Sequence, residues 1–329
     1  WGAVFAASYG FVSSYVMFIV VAALAGIGSG AFHPLGASNA AAVSRDDQRN
    51  AAMSWYTVAG AAGYGIGPLL GSVLMSVFGR MGTLGLLIPG FTAAALIWPQ
   101  MRMVERAREA RAQAMKAMRA RPEWRALVRV ILVTMTRSWV FLSVLQLSAT
   151  WYSELGFGQE VYAPLTSIII FAGAAGTLFG GLMADRLGQR RMIISTLLLT
   201  IPWLLLYAAF PGPQGLLLAA LFGFFCDASI SITLVMAQGL MPGRVGVASG
   251  VILGLGFVTG GIGVPVTGWL ADQYGMQIAL SSLAILLVAG SLMALTLPEK
   301  REVAQEMAEI RQEEALLSGE TAATRGAGR

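Results

Sequence analysis

Gly180-Gly181-Leu182-Met183-Ala184-Asp185-Arg186-Leu187-Gly188-Gln189-Arg190-Arg191 is a charged, glycine-punctuated turn set between two long apolar stretches. Its glycines allow a tight turn and close approach between helices. Asp185 sits where a carboxylate can pair with nearby arginines or cap a helix end. Arg186, Arg190 and Arg191 suit the side of a membrane favoured by cationic loops. The turn therefore reads as a connection between two membrane helices.

Composition supports that reading. The 329 residues are 56% hydrophobic and 12% charged, with a mean hydropathy of +0.69. A soluble domain carries about a quarter charged residues. Apolar runs near the ~20 residues needed to cross a bilayer recur along the chain. The expected spans are 12–43, 51–78, 81–100, 127–153, 162–184, 191–210, 214–240, 246–271 and 276–297, with 1–9 as the end of one more. The runs are continuous, which excludes the alternation of an outer-membrane barrel. The single cysteine, Cys226, excludes an internal disulfide. No metal cluster, nucleotide loop or nucleophile with a base stands out, so no metal, no cofactor and no enzymatic activity are expected. The pI of about 9.7 reflects membrane orientation rather than nucleic-acid binding.

The basic residues set the topology. Of 22 Lys and Arg, two fall in 44–50, nine in 101–129, three in 186–191, one at Arg244 and five from 299 onward. These connections alternate with nearly uncharged ones, where only Arg80 stands, and Arg137 lies inside a span. By the positive-inside rule the rich face, including the C-terminus, is cytoplasmic. Segment 101–126 is expected to form a basic helix ending at Pro122 that lies near anionic headgroups. The tail 299–329 holds seven glutamates and is expected as a solvated helix fading into disorder.

The two halves echo each other: Gly26 matches Gly223, Gly63 matches Gly260, Pro68 matches Pro265 and Gly71 matches Gly268, at one constant offset. Parallel repeats of this kind build many carriers. The same offset would put a first copy of the charged turn upstream of Trp1. The ordered set Gly181, Met183, Ala184, Asp185, Arg186, Gly188, Arg190 and Arg191 resembles the loop signature of the major facilitator superfamily, which joins the second and third helices of each six-helix half. That resemblance implies an all-α membrane protein with about ten of twelve helices present, the first two and part of the third missing. It divides the chain into 1–100 (the rest of a first bundle), a cytoplasmic linker 101–126, a six-helix bundle 127–298 and the tail 299–329. It also implies a multi-pass protein of a bacterial inner membrane, expected as a monomer in the lipid bilayer, that handles a small-molecule substrate and protons.

Ionisable side chains within the spans are His33, Arg137 and Asp227. Charge inside a bilayer is costly and usually faces a partner or a water-filled path. Each lies near the middle of its span, on helices that line the central cavity in the superfamily. Asp227, Ser231 and Gln238 share one helical face of the expected span, and Asp227 is the candidate proton carrier. The competing reading of Arg137 and Asp227 is a purely structural ion pair. That of His33 is satisfaction of carbonyl groups freed by Pro34. Trp55, Tyr56 and Trp139 are candidate cavity aromatics, against the commoner roles of packing or interface anchoring.

Gly63, Gly67, Pro68 and Gly71 resemble the fifth-helix motif of exporters, in which small residues let helices touch and proline bends the span. Gly26-Ile27-Gly28-Ser29-Gly30-Ala31-Phe32-His33-Pro34 and Ala237-Gln238-Gly239-Leu240-Met241-Pro242-Gly243-Arg244 add a similarity to the fosmidomycin-resistance branch of efflux carriers. That branch often has an acid after the His-Pro pair, where Leu35 stands here. Asp227 in the pseudo-symmetric helix is the candidate substitute. The resemblance implies proton-coupled efflux of a small, drug-like organic compound by alternating access, and a cationic His33 or Arg137 would suit a phosphonate or carboxylate. Uptake of an organic anion or nutrient and a non-transporting receptor remain open alternatives.

Overall fold

The computed structural model describes residues 1–117 and 123–299, apart from the side chains of 68, 111, 112 and 114–117. The described residues form helices and turns without strands. Among the described residues, eight helical stretches are long and apolar enough to cross a membrane. The first half comprises α1 (Gly2–Ser8), α2 (Tyr15–Val43), α3 (Arg49–Phe78) and α4 (Leu87–Ile97), followed by α5 (Met101–Ala117). The second half comprises α6 (Trp124–Glu154), α7 (Gln159–Tyr162), α8 (Leu165–Leu187), α9 (Gln189–Ala209), α10 (Gly215–Asp227), α11 (Ile230–Leu240), α12 (Val245–Tyr274), α13 (Met276–Ser282) and α14 (Ala284–Ala294).

Three expected spans differ in detail. The region 81–100 is not one regular helix: a 3-10 stretch, Gly79–Leu86, precedes the eleven residues of α4. Arg80 fastens this turn by donating to the carbonyls of Gly10 and Val12, both at 2.8 Å. The expected span 214–240 is broken at Ala228-Ser229, directly after Asp227, into α10 and α11. The last span is likewise interrupted at Leu283, between α13 and α14. The expected helix at 101–126 is present as α5, while its end at Pro122 lies outside the described residues. Of the tail, only Glu299 falls within them.

The quoted turn takes the expected form. α8 ends at Leu187, Gly188 adopts φ +95°, and α9 starts at Gln189. A side chain at 188 would be strained in that left-handed backbone, so glycine fixes where the two helices part. On α8, three glycines one turn apart press onto the broken helix. A Cβ at Gly176 would lie 1.8 Å from the Phe224 carbonyl oxygen, one at Gly180 1.9 Å from that of Ala228, and one at Gly173 3.0 Å from the Asp227 carboxylate. Close α8–α10 packing therefore depends on missing side chains. The core is concentrated in the second half, where Tyr152, Leu165, Ile169, Ile193, Leu204, Tyr207 and Phe222 are fully enclosed.

Candidate functional site

Arg137 lies mid-way along α6 and is buried; Asp227 is the last residue of α10. Arg137 Nη1 donates to Asp227 Oδ1 at 2.5 Å, and Nη2 donates to Ser138 Oγ at 3.0 Å. Arg137 Nε is buried and has no hydrogen-bond partner among the described residues. The helix break after Asp227 frees its carbonyl, which accepts from Thr177 Oγ1 at 3.0 Å. The pair borders a small cavity of about 100 Å³ whose other walls include Thr134, Phe141, Ile252 and Phe257. A guanidinium with an unused N–H beside a carboxylate in an apolar chamber can bind an acceptor group, and it can respond to a change of charge on its partner.

His33 does not line that cavity. Its ring contacts those of Phe32 and Phe257, with centroids 6.0 and 6.2 Å away, and Phe257 is itself one of the cavity's walls. The carbonyl of His33 accepts from Tyr56 Oη at 3.2 Å. This bond is to the His33 carbonyl itself and not to the Gly30 carbonyl, the one that Pro34 leaves without its helical N–H partner.

A second polar cluster joins the two halves of the sequence at the end that carries the charged turn. The Asp185 carboxylate accepts from the Asn50 backbone N–H at 3.3 Å, from Asn50 Nδ2 at 2.7 Å and from the Ala51 N–H at 3.0 Å. α3 has no side-chain cap of its own at Gln48, so α8 supplies a carboxylate to the positive end of a helix from the other half. Gln189 Nε2 donates to Asn50 Oδ1 at 2.8 Å. One turn deeper, Ser54 and Ser231 hydroxyls share a buried hydrogen bond of 2.8 Å. Gln238 accepts from Arg49 Nη2 at 3.3 Å and donates to Ser249 Oγ at 3.0 Å. Ser231 and Gln238, expected beside Asp227 on one face, therefore bind α3 and α12.

Gly181 makes this contact possible. A Cβ there would sit 1.8 Å from Ser54 Oγ and 2.7 Å from the Asn50 carbonyl oxygen. By contrast Gly63, Gly67 and Gly71 face open space, and Gly65 is the α3 glycine that meets α8, 3.0 Å from Phe171. The side chain of Pro68 lies outside the described residues. Arg186 is exposed, while Arg190 donates to the Leu295 carbonyl and Arg191 approaches Glu299 at 3.9 Å. Arg49, Asn50 and Ser54 were missed in the sequence. Their signal was available: polar residues one turn apart opening an apolar helix, opposite a conspicuous acid.

Comparison with known proteins gives the same fold and adds relatives. A family model for the Major Facilitator Superfamily matches residues 1–176 and 130–321. The fosmidomycin resistance protein of Escherichia coli (strain K12) is 28% identical over 296 residues, covering 88% of this chain and 72% of that protein. The uncharacterised transporter YfnC of Bacillus subtilis (strain 168) is 30% identical over 305 residues, covering 89% of this chain and 73% of that protein. The human organic anion transporter TETRAN shares the fold at a TM-score of 0.70, with 18% identity over 89% of this chain and 74% of its own. These relatives are transporters rather than enzymes, and the chain belongs to the Major Facilitator Superfamily.

Proposed function

We propose that this protein is a proton-coupled exporter of a small organic anion, working by alternating access between a bundle containing 1–100 and a bundle containing 127–298. The observation that carries the reading is the Arg137–Asp227 pair, an exchangeable charge pair buried beside a cavity in an apolar fold. Protonation of Asp227 removes its charge and leaves Arg137 seeking an anionic partner. A substrate anion can supply one, so the substrate anion and the Asp227 carboxylate compete for the same guanidinium. The protonation state of Asp227 thereby sets whether Arg137 is open to the substrate, which couples the two. The resistance named for the Escherichia coli relative supports the outward direction. The polar contacts at the charged end support a state closed on that side, which the distribution of Lys and Arg assigns to the cytoplasm.

Reconstitution in proteoliposomes tests the reading. The wild type should drive labelled substrate against its gradient when a pH gradient is imposed. Asp227→Asn should lose this accumulation and retain downhill exchange. Equal accumulation by Asp227→Asn would remove the carboxylate from the coupling step, and accumulation along the proton gradient would make the protein an importer. Membrane-impermeant thiol labelling, with Cys226 replaced, should reach Gly212→Cys from outside the cell but not Gln113→Cys.

A further inference from the structure

We propose that the cavity between the start of α6, the start of α9 and the end of α14 holds an anionic phospholipid, with its phosphate on Arg129 and Arg190. The cavity has a volume of about 390 Å³ and is also bordered by Glu123, Ala126 and the chain from Leu295 to Pro298. Its two arginines come from different helices and are held in place by the protein. Arg129 donates through Nε to the Arg125 carbonyl at 3.3 Å and through Nη1 to the Thr296 carbonyl. Arg190 donates through Nη2 to the Leu295 carbonyl. A guanidinium carries five N–H donors, so each fork keeps donors for a further acceptor. A phosphate fits two such forks, because its oxygens take paired N–H bonds. Arg125, Arg186 and Arg191 stand exposed on the same segments. Together these arginines outnumber Glu123, Asp185 and Glu299, and Asp185 is already turned to α3. The site therefore favours an anionic headgroup over one whose phosphate is balanced by an ammonium.

The surroundings fit a lipid rather than a soluble anion. Trp124, Val128 and Leu132 are exposed at intervals of four along α6, which places them on one face. Ile285, Val288, Leu292 and Leu295 are exposed at intervals of three and four along and just past α14, which packs against both α6 and α9. Both apolar stripes reach the cavity, one at Val128 and the other at Leu295, and run away from it along spans apolar enough to cross a membrane. Acyl chains laid on these stripes would bring the phosphate to the level of Arg129 and Arg190. Trp124, next to the cavity residue Glu123, suits the aromatic belt at a membrane interface. Basic pockets between membrane helices bind anionic headgroups in this way. A bound phosphate would tie α6 to α9 where both hold the end of the last helix, and would brace α9 where it leaves the turn that carries Asp185.

Thermal unfolding of the purified full chain in neutral detergent tests the site. Dioleoylphosphatidylglycerol should raise the midpoint in a saturable way, while dioleoylphosphatidylcholine and inorganic phosphate should leave it unchanged. Arg129→Gln/Arg190→Gln should raise the half-saturating lipid concentration about tenfold or more. Arg102→Gln/Arg106→Gln removes equal charge from exposed positions of α5 and should change it less than about twofold. Each variant's midpoint without lipid is its own reference, since Arg129 and Arg190 also hold the last helix. Where the double variant does not fold, Arg190→Gln alone keeps Arg129 on Thr296 and should still weaken the lipid several-fold. Native mass spectrometry counts the phosphatidylglycerol that each protein retains, and the count should fall in the same variants. No saturable shift, or unchanged affinity and retention in the cavity variants, overturns the proposal. Equal weakening by the α5 pair also overturns it and reduces the effect to diffuse surface charge. An equal shift from phosphatidylcholine or from phosphate alone overturns it too, assigning the cavity to any phospholipid or to a soluble anion.

Discussion

Arg137 and Asp227 were legible in the sequence because ionisable groups within apolar runs are rare, and a rare group inside a membrane needs a partner. What the pattern did not contain is the break at Ala228-Ser229, which ends α10 directly after Asp227 and separates Asp227 from Ser231. A run of apolar and small residues fits a helix on either side, and nothing in its periodicity marks the turn. The pair therefore stands apart from Ser231 and Gln238, and its own worth can be measured separately. Removing one member of a buried pair typically costs ~3–5 kcal/mol, whereas replacing both by apolar residues is often neutral or stabilising. Asp227→Asn should therefore lower the thermal unfolding midpoint in detergent, and Arg137→Met/Asp227→Leu should restore it. If the pair also couples proton to substrate, the double variant remains unable to accumulate substrate against its gradient. Gradient-driven transport by the double variant would reduce the pair to a structural link.

At the scale of elements, the 180–191 turn was readable as a helix connection, and capping was among the roles foreseen for Asp185. The identity of the capped helix was not, since α3 is more than a hundred residues earlier and only the tertiary fold brings it close. The expected glycine contacts on α3 went the other way: Gly63, Gly67 and Gly71 face open space, and Gly65 touches α8. Sequence gives the supply of small residues along a helix, while the crossing point selects which one is used. Two substitutions separate these cases. Gly181→Val leaves no room against Ser54 and Asn50, so it should block closure at the charged end and abolish transport at normal membrane insertion, while Gly67→Ala should transport normally. Asp185→Ala should cost about 0.5–2 kcal/mol as a lost cap. Asp185→Asn keeps one acceptor oxygen and should cost less, mostly the charge–dipole share of about 0.3–1 kcal/mol. Transport rates and thermal midpoints that rank asparagine below alanine would refute the capping role.

Across the whole molecule the two halves meet through named polar contacts near one end. The Asp185 cap, the Ser54–Ser231 bond and the Arg49–Gln238 bond all lie in the first turns of α3 or within reach of the charged loops. Farther along α3, Ile66, Leu69, Val73 and Val77 are exposed, so the far half of this helix is not sealed against the second half in the same way. A transporter that alternates access must break the closed contacts in every cycle, because a permanent bridge between moving bodies stops the motion. The buried Ser54–Ser231 bond offers a direct way to hold it. Its hydroxyl oxygens are 2.8 Å apart, a separation compatible with the ~3.5–4.5 Å Cβ spacing that a disulfide accepts. With Cys226 replaced, Ser54→Cys/Ser231→Cys should oxidise to a disulfide that arrests transport and leaves the opposite opening reachable by thiol reagents. Reduction should restore the rate, while each single cysteine variant should remain active. Full transport by the oxidised double variant, with the disulfide verified by mass spectrometry, would show that the α3–α11 contact never opens during turnover.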